Sequence, residues 1–407
     1  MNHVAALIPT LDRLGGAERQ VIAIAKGLAK RGWRVSVIAL SGCGGDAARE
    51  LRSSEVDFLS LGMRKGLADP RGWITLHRWL ESQAPDLVHA HLPHAAWLAR
   101  WSRIASPMRV LVDTIHSSST GAVGRRFGYR VTNWIPDKIT AVSQASADSW
   151  SGARMVSLEN LLVLPNGIDT DHWKPDPTIR EEMLRKLGLE GGFLWIAVGR
   201  LEPVKDYPLL LRAMAGLPSH AVLAIAGGGS LENVLRKQST ELGLRDRVRF
   251  LGFESRVLPW LLAADGFVLC SKWEGLPLAL LESGACGLPA VVTDVAGIRE
   301  VVADSQGSVL VLPGNVESLR AGMMQVMLMC PSERNGMGLR LRQAVVERFN
   351  INSVLDKWEA LYVGLLAKNP QPMRMRRTHA ATEAGLTQAV PIGTHKAESL
   401  LERHSHR

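Results

Sequence analysis

Two carboxylates eight positions apart, Glu274 and Glu282, form the strongest chemical signal in this 407-residue sequence. An apolar run that ends at Cys270 predicts a β-strand, which places Glu274 in the loop after that strand. A helix beginning near Leu276 would place Glu282 about two turns along it and point free amide groups at the loop, where a phosphate could bind. Ligands of open α/β sheets bind at the carboxyl ends of strands, so the pair predicts a binding site. A capping carboxylate beside an incidental surface glutamate is the alternative interpretation.

Two cations follow an earlier predicted strand. Arg200 and Lys205 lie in the segment after Val198, and this position brings them to the same edge of a sheet as Glu274. The planar fork of an arginine and the mobile charge of a lysine can together neutralise a diphosphate leaving group. In isolation the pair is equally well explained as solvated surface charge. The two segments together favour a site for a charged phosphate ligand.

Short apolar runs alternate with amphipathic stretches along most of the chain, which is typical of an α/β fold with parallel sheets and helical crossovers. In the first half the runs are Val4–Ile8, Val35–Leu40, Asp86–Ala90, Val110–Ile115 and Lys138–Val142. In the second half they are Phe193–Val198, Ala221–Ala226, Val248–Leu251, Gly266–Cys270, Ala290–Thr293 and Ser308–Val311. Proline and turn residues within 165–177 separate the two sets. The sequence therefore predicts two doubly wound, Rossmann-like domains that face each other across a cleft.

The same patterns predict the domain boundaries. Residues 1–165 would form an N-terminal Rossmann-like domain, and residues 166–349 a C-terminal one. A closing helix within residues 350–368 would return to the N-terminal domain. Residues 369–407 are rich in Arg, His, Thr, Pro and Gly. Because they offer few large apolar side chains to bury, a disordered basic tail is expected there.

Composition excludes several classes of protein. Hydrophobic residues make up 46% and charged residues 21% of the chain, which favours a globular protein over a disordered or fibrous one. We find neither a secretory signal pattern at residues 1–13 nor an apolar run long enough to span a bilayer, and therefore expect a cytoplasmic location. The four cysteines lack disulfide or zinc spacing and are expected to be reduced.

Several short motifs, in their order along the chain, resemble those of the retaining GT-B glycosyltransferases of family 4. They are Gly15-Gly16-Ala17-Glu18, His116 after the run 110–115, Val142–Ser146, Pro165–Asp169, Gly199–Asp206, Gly227–Gly229 and Glu274–Glu282. Each motif is weak alone but specific in combination, and the resemblance covers most of residues 1–365. It implies a GT-B architecture and a metal-independent, hexosyltransferase-type enzyme. Such an enzyme would move a sugar from a nucleoside diphosphate sugar to a hydroxyl acceptor with retention of the anomeric configuration.

The resemblance also implies roles for residues that would bind the donor. Gly15 and Gly16 would let the backbone approach the donor closely, because they have no side chains. Arg200 and Lys205 would hold the diphosphate and stabilise its charge as it leaves, without a metal ion or other cofactor. Glu282 would accept hydrogen bonds from the ribose hydroxyls.

A second set of residues is implied to contact the sugar and the base. Catalytic contacts to the transferred sugar would come from Glu274 and His116, supported by the backbone of Gly275, Leu276, Pro277 and Leu278. The base would lie beside Gly252 and Phe253. For Glu274 we favour sugar binding with front-face attack by the acceptor over a nucleophilic role. Taken alone, His116 would be better explained as a structural histidine.

Other functions remain open from the sequence. A sugar-nucleotide epimerase on the same fold would bind the same donor, but its activity would not require an acceptor. A non-enzymatic nucleic-acid-binding protein is less favoured. Asp169-Thr170-Asp171 has the Asp-x-Asp pattern of metal-dependent transferases but follows a turn in the presumed hinge. The glycine fingerprint of nicotinamide dehydrogenases does not follow the first strand.

Charge is unevenly distributed along the chain. Residues 1–165 carry a net charge of +7, residues 166–369 carry −1, and residues 370–407 carry +3. Arg125, Arg126, Arg130 and Trp134 combine cations with an amphipathic ring shortly after His116. In the resembling family the N-terminal domain receives the acceptor, and many members meet lipid-linked acceptors at the membrane. We therefore hypothesise a peripheral contact between this segment and an anionic membrane or acceptor, in the biosynthesis of cell-surface polysaccharide or lipopolysaccharide.

Overall fold

The computed structural model describes residues 1–370 apart from residues 13, 43–44, 65–68, 107, 122, 188–191, 255 and 304. Its architecture is two parallel β-sheets, each covered by helices on both faces. Strands buried on both faces read as continuous apolar runs rather than alternating ones. This property explains why most of the strands could be predicted from their composition.

The first sheet has seven parallel strands in the spatial order β3-β2-β1-β4-β5-β6-β7. These strands are β1 (His3–Ile8), β2 (Arg34–Ala39), β3 (Asp57–Ser60), β4 (Leu87–His91), β5 (Val110–Ile115), β6 (Lys138–Ala141) and β7 (Leu161–Val163). The helices are α1 (Gly16–Lys30), α2 (Gly45–Arg52), α3 (Pro70–Gln83), α4 (Leu92–Ala105), α5 (Val123–Thr132) and α6 (Gln144–Gly152).

The second sheet has six parallel strands in the order β10-β9-β8-β11-β12-β13. They are β8 (Phe193–Val198), β9 (Ala221–Ala226), β10 (Val248–Gly252), β11 (Gly266–Leu269), β12 (Ala290–Thr293) and β13 (Ser308–Val311). The helices before and between them are α7 (Pro177–Leu187), α8 (Tyr207–Ala215), α9 (Glu232–Glu241), α10 (Leu258–Ala263), α11 (Leu278–Ala285) and α12 (Ala296–Val302). After β13 follow α13 (Val316–Leu328) and α14 (Pro331–Phe349).

The last described helix, α15 (Ile351–Lys368), packs against the helices and strands of the first sheet. Its side chains Val354, Trp358 and Tyr362 are buried in the same core as strands β1 and β2. Gly27 of α1 permits this approach, because an added Cβ would clash with Leu355. The chain thus passes between the two sheets twice, and Ile168 on the first passage pairs with the backbone of residues 349 and 351 on the second.

The structure corrects two details of the sequence prediction. Helix α11 begins at Leu278 rather than near Leu276, because Pro277 is extended (φ −75°, ψ 107°) and proline disfavours helical geometry in the residue before it. Glu282 consequently lies about one turn into the helix instead of two. The short edge strands β3 and β7 were not predicted. Residues 371–407, where a tail was predicted, lie outside the described residues.

Among the described helices, none combines the length and the apolar character required to cross a lipid bilayer.

Candidate functional site

The predicted site residues gather at equivalent points of the two sheets. In each sheet the chain connections change direction between two central strands, β1 and β4 in the first and β8 and β11 in the second. Ligands of open α/β sheets bind beyond the carboxyl ends of such strands. Strand β1 leads to Gly15 and Gly16 and β4 ends at His91, whereas β8 leads to Arg200 and β11 to Glu274.

An ion pair joins two of the predicted catalytic residues. Lys205, at the end of a 3₁₀ turn over Pro203–Lys205, binds Glu274 Oε1 through its Nζ atom. Ser271 Oγ donates a second hydrogen bond to the same carboxylate oxygen at 2.6 Å. Both members of the ion pair are largely buried. The two segments predicted from sequence are therefore one structural unit, and Lys205 holds Glu274 in place.

Close backbone packing shapes the loop that carries Arg200. Gly227 has a φ of +153°, and a Cβ there would clash with the carbonyl oxygen of Gly199. A Cβ on Gly229 would lie 2.5 Å from the carbonyl oxygen of Leu201. These glycines let two strand-end loops lie against each other. Within the described part of the chain, no acidic side chain is within ion-pair distance of Arg200, so its guanidinium is available to a ligand.

Glu282 is buried at 5% exposure and contacts the opposite face of the cleft. Its Oε1 atom accepts a hydrogen bond from Arg19 Nη1 at 3.3 Å, and Arg19 belongs to α1 of the first domain. Burial raises the pKa of Glu282 to about 7, and the charge of Arg19 opposes this rise. The carboxylate predicted to bind ribose is thus paired with an arginine across the cleft.

The glycine loop before α1 faces the second domain. A Cβ on Gly16 would contact Leu278 at 3.6 Å, which places the loop beside the first turn of α11. The carboxylate of Glu18 lies over Gly15, where an added Cβ would be 2.8 Å from Oε2. Burial raises the pKa of Glu18, and Arg200 lowers it across the cleft. Gly16 therefore lies beside α11, and Glu18, the neighbour of Gly15, lies close enough to Arg200 to feel its charge.

The loop around Glu274 also touches the first domain. A Cβ on Gly275 would be 2.7 Å from the carbonyl oxygen of His116, so only glycine fits at this crossing without displacing backbone. Ser118 Oγ donates to the carbonyl oxygen of Glu274 at 2.9 Å. Asn166 Nδ2 donates to the carbonyl oxygen of Leu276 at 3.3 Å. His116 and Glu274, predicted from separate motifs, are therefore brought together.

His116 belongs to a histidine cluster that the sequence analysis missed. His116 Nε2 lies 3.1 Å from His91 Nδ1, and the His91 ring packs against His89 at 3.8 Å between ring centroids, with the rings tilted by 41°. Burial lowers the pKa of His116 to about 4 and that of His89 to about 3, and it also lowers the pKa of His91. All three imidazoles are therefore neutral near pH 7. The buried Nδ1 atom of His116 has no partner among the described residues.

His89 connects this cluster to the closing helix. Its Nδ1 atom lies 2.6 Å from the Tyr362 hydroxyl of α15, and its Nε2 atom lies 2.6 Å from Thr114 Oγ1. Histidine is fully buried less often than the aliphatic residues that make up most of such a strand. The His89-Ala90-His91 pattern at the end of an apolar strand was therefore a signal available in the sequence.

The remaining predicted positions have distinct surroundings. Gly252 adopts a φ of +69° and accepts a hydrogen bond from the Gly227 amide at 2.7 Å, while the side chain of Phe253 is exposed. Asp169 Oδ1 accepts hydrogen bonds from the amides of Asp171 and His172, both at 3.1 Å, and so stabilises a turn. The described residues contain no group of three or more His, Cys, Asp or Glu side chains arranged to hold a metal ion.

Helix α5 carries the basic segment that was predicted to contact a membrane or acceptor. Phe127 and Trp134 are 67% and 74% exposed. Tyr129 on the same helix is buried against Trp150 and belongs to the core. Arg130 donates to the backbone carbonyl groups of residues 153 and 154 at the end of α6.

Two family models match the chain, one in each half. The model described as Glycosyltransferase Family 4 matches residues 14–172, and the model described as Glycosyl transferases group 1 matches residues 179–340. Together they include every strand of the two sheets except β1, and the predicted site segments from the Gly15 loop to Glu282.

Curated relatives and solved structures give the same result. The chain is 27% identical over 315 residues to the Escherichia coli UDP-Gal:alpha-D-GlcNAc-diphosphoundecaprenol alpha-1,3-galactosyltransferase, covering 74% of this chain and 81% of that protein. It is 26% identical over 361 residues to the Rhizobium meliloti lipopolysaccharide core biosynthesis glycosyltransferase LpsE, covering 88% and 97%. The crystal structure of Anabaena Alr3699/HepE in complex with UDP-glucose matches with a TM-score of 0.79 at 22% identity, covering 89% and 99%.

Proposed function

The chain belongs to the family 4, group 1 glycosyltransferases and has their GT-B fold, and we propose that it transfers a hexose from a nucleoside diphosphate sugar to a lipid-linked or growing glycan. The observation that carries this proposal is the convergence of Arg200, the Lys205–Glu274 ion pair and Glu282 on the cleft opposite His116. Relatives that act on diphosphoundecaprenol-linked sugars and on lipopolysaccharide core support the class of acceptor.

The donor diphosphate would lie between Arg200, Lys205 and the first turn of α11. Arg200 has no acidic partner among the described residues, and Lys205 has further ammonium protons beyond the one it gives to Glu274. Free amides at the start of a helix favour a negative charge there. The absence of side chains at Gly15 and Gly16 would let the diphosphate approach the backbone closely, and Glu282 would exchange Arg19 for the ribose hydroxyls.

The sugar would lie between Glu274 and His116. Departure of the nucleoside diphosphate leaves an oxocarbenium-like sugar, and cations fixed beside the leaving group stabilise the transition state. Glu274 is held by Lys205 and Ser271, which suits a carboxylate that orients sugar hydroxyls. His116 is neutral at pH 7 and would therefore act as a hydrogen-bonding group rather than as a cation. Attack by the acceptor on the face that the leaving group vacates would retain the anomeric configuration.

Donor binding and acceptor dependence test this function. Thermal stability should be measured with UDP-, GDP- and ADP-sugars, because a ligand specific to the folded state raises its stability. The best donor should then be turned over only when an acceptor is present. Conversion of the donor without acceptor would instead indicate an epimerase. Turnover should survive excess EDTA, since the cations of Arg200 and Lys205 serve the diphosphate; loss of turnover restored by Mg²⁺ or Mn²⁺ would contradict a metal-independent reaction.

A peripheral membrane contact through α5 is part of the proposal. Val123, Phe127, Val131 and Trp134 are exposed, and their spacing puts them along one side of the helix and its end. The basic side chains of Arg125, Arg126 and Arg130 lie on the same segment. Each such cation near an anionic surface contributes about 1 kcal/mol, and the exposed rings suit the interfacial region.

Sedimentation with vesicles tests the membrane contact. Full-length protein is mixed with phosphatidylglycerol vesicles and with neutral phosphatidylcholine vesicles at physiological salt. The parent should sediment with the anionic vesicles, and the double variant Phe127→Ser/Trp134→Ser should do so at least several-fold less. Leu328→Ser, at a comparably exposed apolar position of the second domain (79%), is the matched control. A parent that ignores anionic vesicles would contradict the contact.

A further inference from the structure

A polar groove of about 570 Å³ opens beside the proposed reaction centre. It is lined by Ser118, Ser119, Thr120, Gly121, Arg126, Ser149 and Trp273. All of these residues except Trp273 belong to the first domain. The groove begins two residues after His116 and includes the residue before Glu274, so it adjoins the space assigned to the transferred sugar.

The hydrogen bonds of the groove leave sugar-binding groups uncommitted. Ser118 Oγ donates its proton to the carbonyl oxygen of Glu274, and Ser149 Oγ donates to the carbonyl oxygen of Ser118 at 2.6 Å. Both hydroxyl oxygens keep lone pairs that can accept from a ligand. Within the described part of the chain, the hydroxyls of Ser119 and Thr120 make no hydrogen bond to protein. These groups match the mixed donors and acceptors of a sugar ring.

The two larger side chains of the groove define its chemistry further. The indole of Trp273 is 43% exposed and offers an apolar face on which a sugar ring can stack. Arg126 supplies a guanidinium, and none of the described residues that line the groove has a carboxylate. Arg125 lies at the same end, where a Cβ added to Gly121 would be 2.5 Å from its Nη1 atom. An unopposed guanidinium fork is a specific receptor for phosphate or carboxylate.

We propose that this groove, the Ser118–Trp273 groove, binds the acceptor sugar and that Arg126 binds an oxyanion, phosphate or carboxylate, attached to that sugar. The inference rests on the proposed function and specifies its acceptor. The hydroxyl that attacks would then enter between His116 and Glu274, while the anion faces α5. Because Phe127 on α5 and Trp134 just after it are exposed, a phosphate that links the sugar to a lipid would lie on the membrane side of the groove.

Binding of three probes that share one sugar ring tests this assignment. Glucose, glucose 1-phosphate and glucuronic acid are titrated calorimetrically into the full chain saturated with the nucleoside diphosphate that stabilises it best. At least one anionic probe should bind about tenfold more tightly than glucose, which is the scale of a charge-assisted contact. Comparison of glucose 1-phosphate with glucuronic acid shows whether the preferred oxyanion is a phosphate or a carboxylate. Equal affinity for all three, or no binding at millimolar concentration, would overturn the proposal.

Variants assign the effect to the groove. Arg126→Gln should remove the preference for the anionic probes without changing the affinity for glucose. Trp273→Ala should lower the affinity for all three probes by a similar factor. Arg71→Gln, on the exposed surface of α3, and Trp101→Ala, at 45% exposure on α4, are the matched controls and should leave every affinity unchanged. A preference that survives Arg126→Gln would overturn the role of Arg126. If none of the nucleoside diphosphates binds, the result would instead contradict the proposed function.

Discussion

The face of the cleft that belongs to the first sheet carries neutral imidazoles, whereas the face that belongs to the second sheet carries charged pairs. His89, His91 and His116 are uncharged at pH 7 because burial lowers the pKa of each. Opposite them, Lys205 and Glu274 form an ion pair beside Arg200. From this difference we propose a division of roles: the second domain would stabilise the charge of the leaving group, and the first would orient neutral hydroxyl groups.

The largest expected effect follows from removing a charge on the second face. Lys205→Ala would delete a cation beside the leaving group and leave Glu274 without its ion-pair partner. Turnover should fall by about 10²- to 10³-fold, the scale measured when one preorganised electrostatic contact is removed. Nucleoside diphosphate affinity should fall less, since charge accumulates on the diphosphate as the sugar departs. Steady-state kinetics with a calorimetric titration check both quantities.

A matched control distinguishes this role from general loss of charge. Lys272→Ala removes a half-exposed lysine whose nearest acidic partner, Asp206, is 3.8 Å away. Its turnover should stay within a factor of about two, as expected for an exposed pair. If Lys205→Ala and Lys272→Ala lower turnover by similar factors, the fixed geometry of the Lys205–Glu274 pair does not account for the effect.

Glu282, on the second face, should make the free energy of unfolding depend on pH. Its pKa is raised from 4.5 to about 7 by burial, so the folded state holds the proton more tightly than the unfolded state. The stability it contributes is therefore greatest at low pH and is lost as pH rises from about 4.5 through about 7. Glu282→Gln should remove this loss, so its stability relative to the parent should increase by up to about 3 kcal/mol across that window.

Urea unfolding at pH 5 and pH 8, without nucleotide, checks the prediction for Glu282. The difference in unfolding free energy between variant and parent should be larger at pH 8. Glu241→Gln, at an exposed position of α9, should show nearly the same difference at both values. If the difference for Glu282→Gln is as independent of pH as that for Glu241→Gln, the prediction is wrong. The contact with Arg19 would then offset the cost of burying the Glu282 charge fully.

Substitutions on the first face should lower turnover less, because they remove neutral hydrogen bonds rather than charges. His91→Ala would remove the partner of His116 Nε2 and allow the His116 ring to rotate. Turnover should fall about tenfold with little change in the donor KM, since misplaced contacts affect the transition state most. His91→Asn, which keeps a hydrogen-bonding group, should recover part of the loss. An unchanged turnover in His91→Ala would remove His91 from the positioning of His116.

The sequence predicted much of the fold because buried parallel strands leave a local signature. Runs such as Phe193–Val198 and Ala221–Ala226 coincide with the observed strands. The edge strands β3 and β7 have only four and three residues and little apolar periodicity, so they were missed. The predicted helix start near Leu276 is two residues too early, because Pro277 disfavours helical geometry in the residue before it and the helix begins at Leu278.

The site was predictable only where its residues lie in local motifs. Glu274, Lys205 and Arg200 follow strands within the second domain, and strand-end position was enough to group them. The contact between Arg19 and Glu282 joins residues 263 positions apart across two domains. Glu300 likewise accepts hydrogen bonds from the amides of residues 144 and 145 at the start of α6. Such contacts depend on how the domains face each other, which no local pattern encodes.

The smallest expected effect concerns Tyr362, which connects the closing helix to the first face. Its buried hydroxyl is hydrogen-bonded to His89 Nδ1 at 2.6 Å, and the His89 ring packs against His91. Tyr362→Phe keeps the ring packed in the core but leaves His89 Nδ1 without that partner. The free energy of unfolding should fall by about 1 kcal/mol, the usual net value of a hydrogen bond. Because three successive contacts, through His89 and His91, separate Tyr362 from His116, turnover should fall by only about two- to threefold, with an unchanged donor KM. Urea unfolding and steady-state kinetics measure the two quantities, and Tyr207→Phe, whose hydroxyl bonds the carbonyl oxygen of Gly199 in the second domain, is the comparison. A turnover loss as large as that of His91→Ala would show that the closing helix, rather than His91 alone, sets the position of His116.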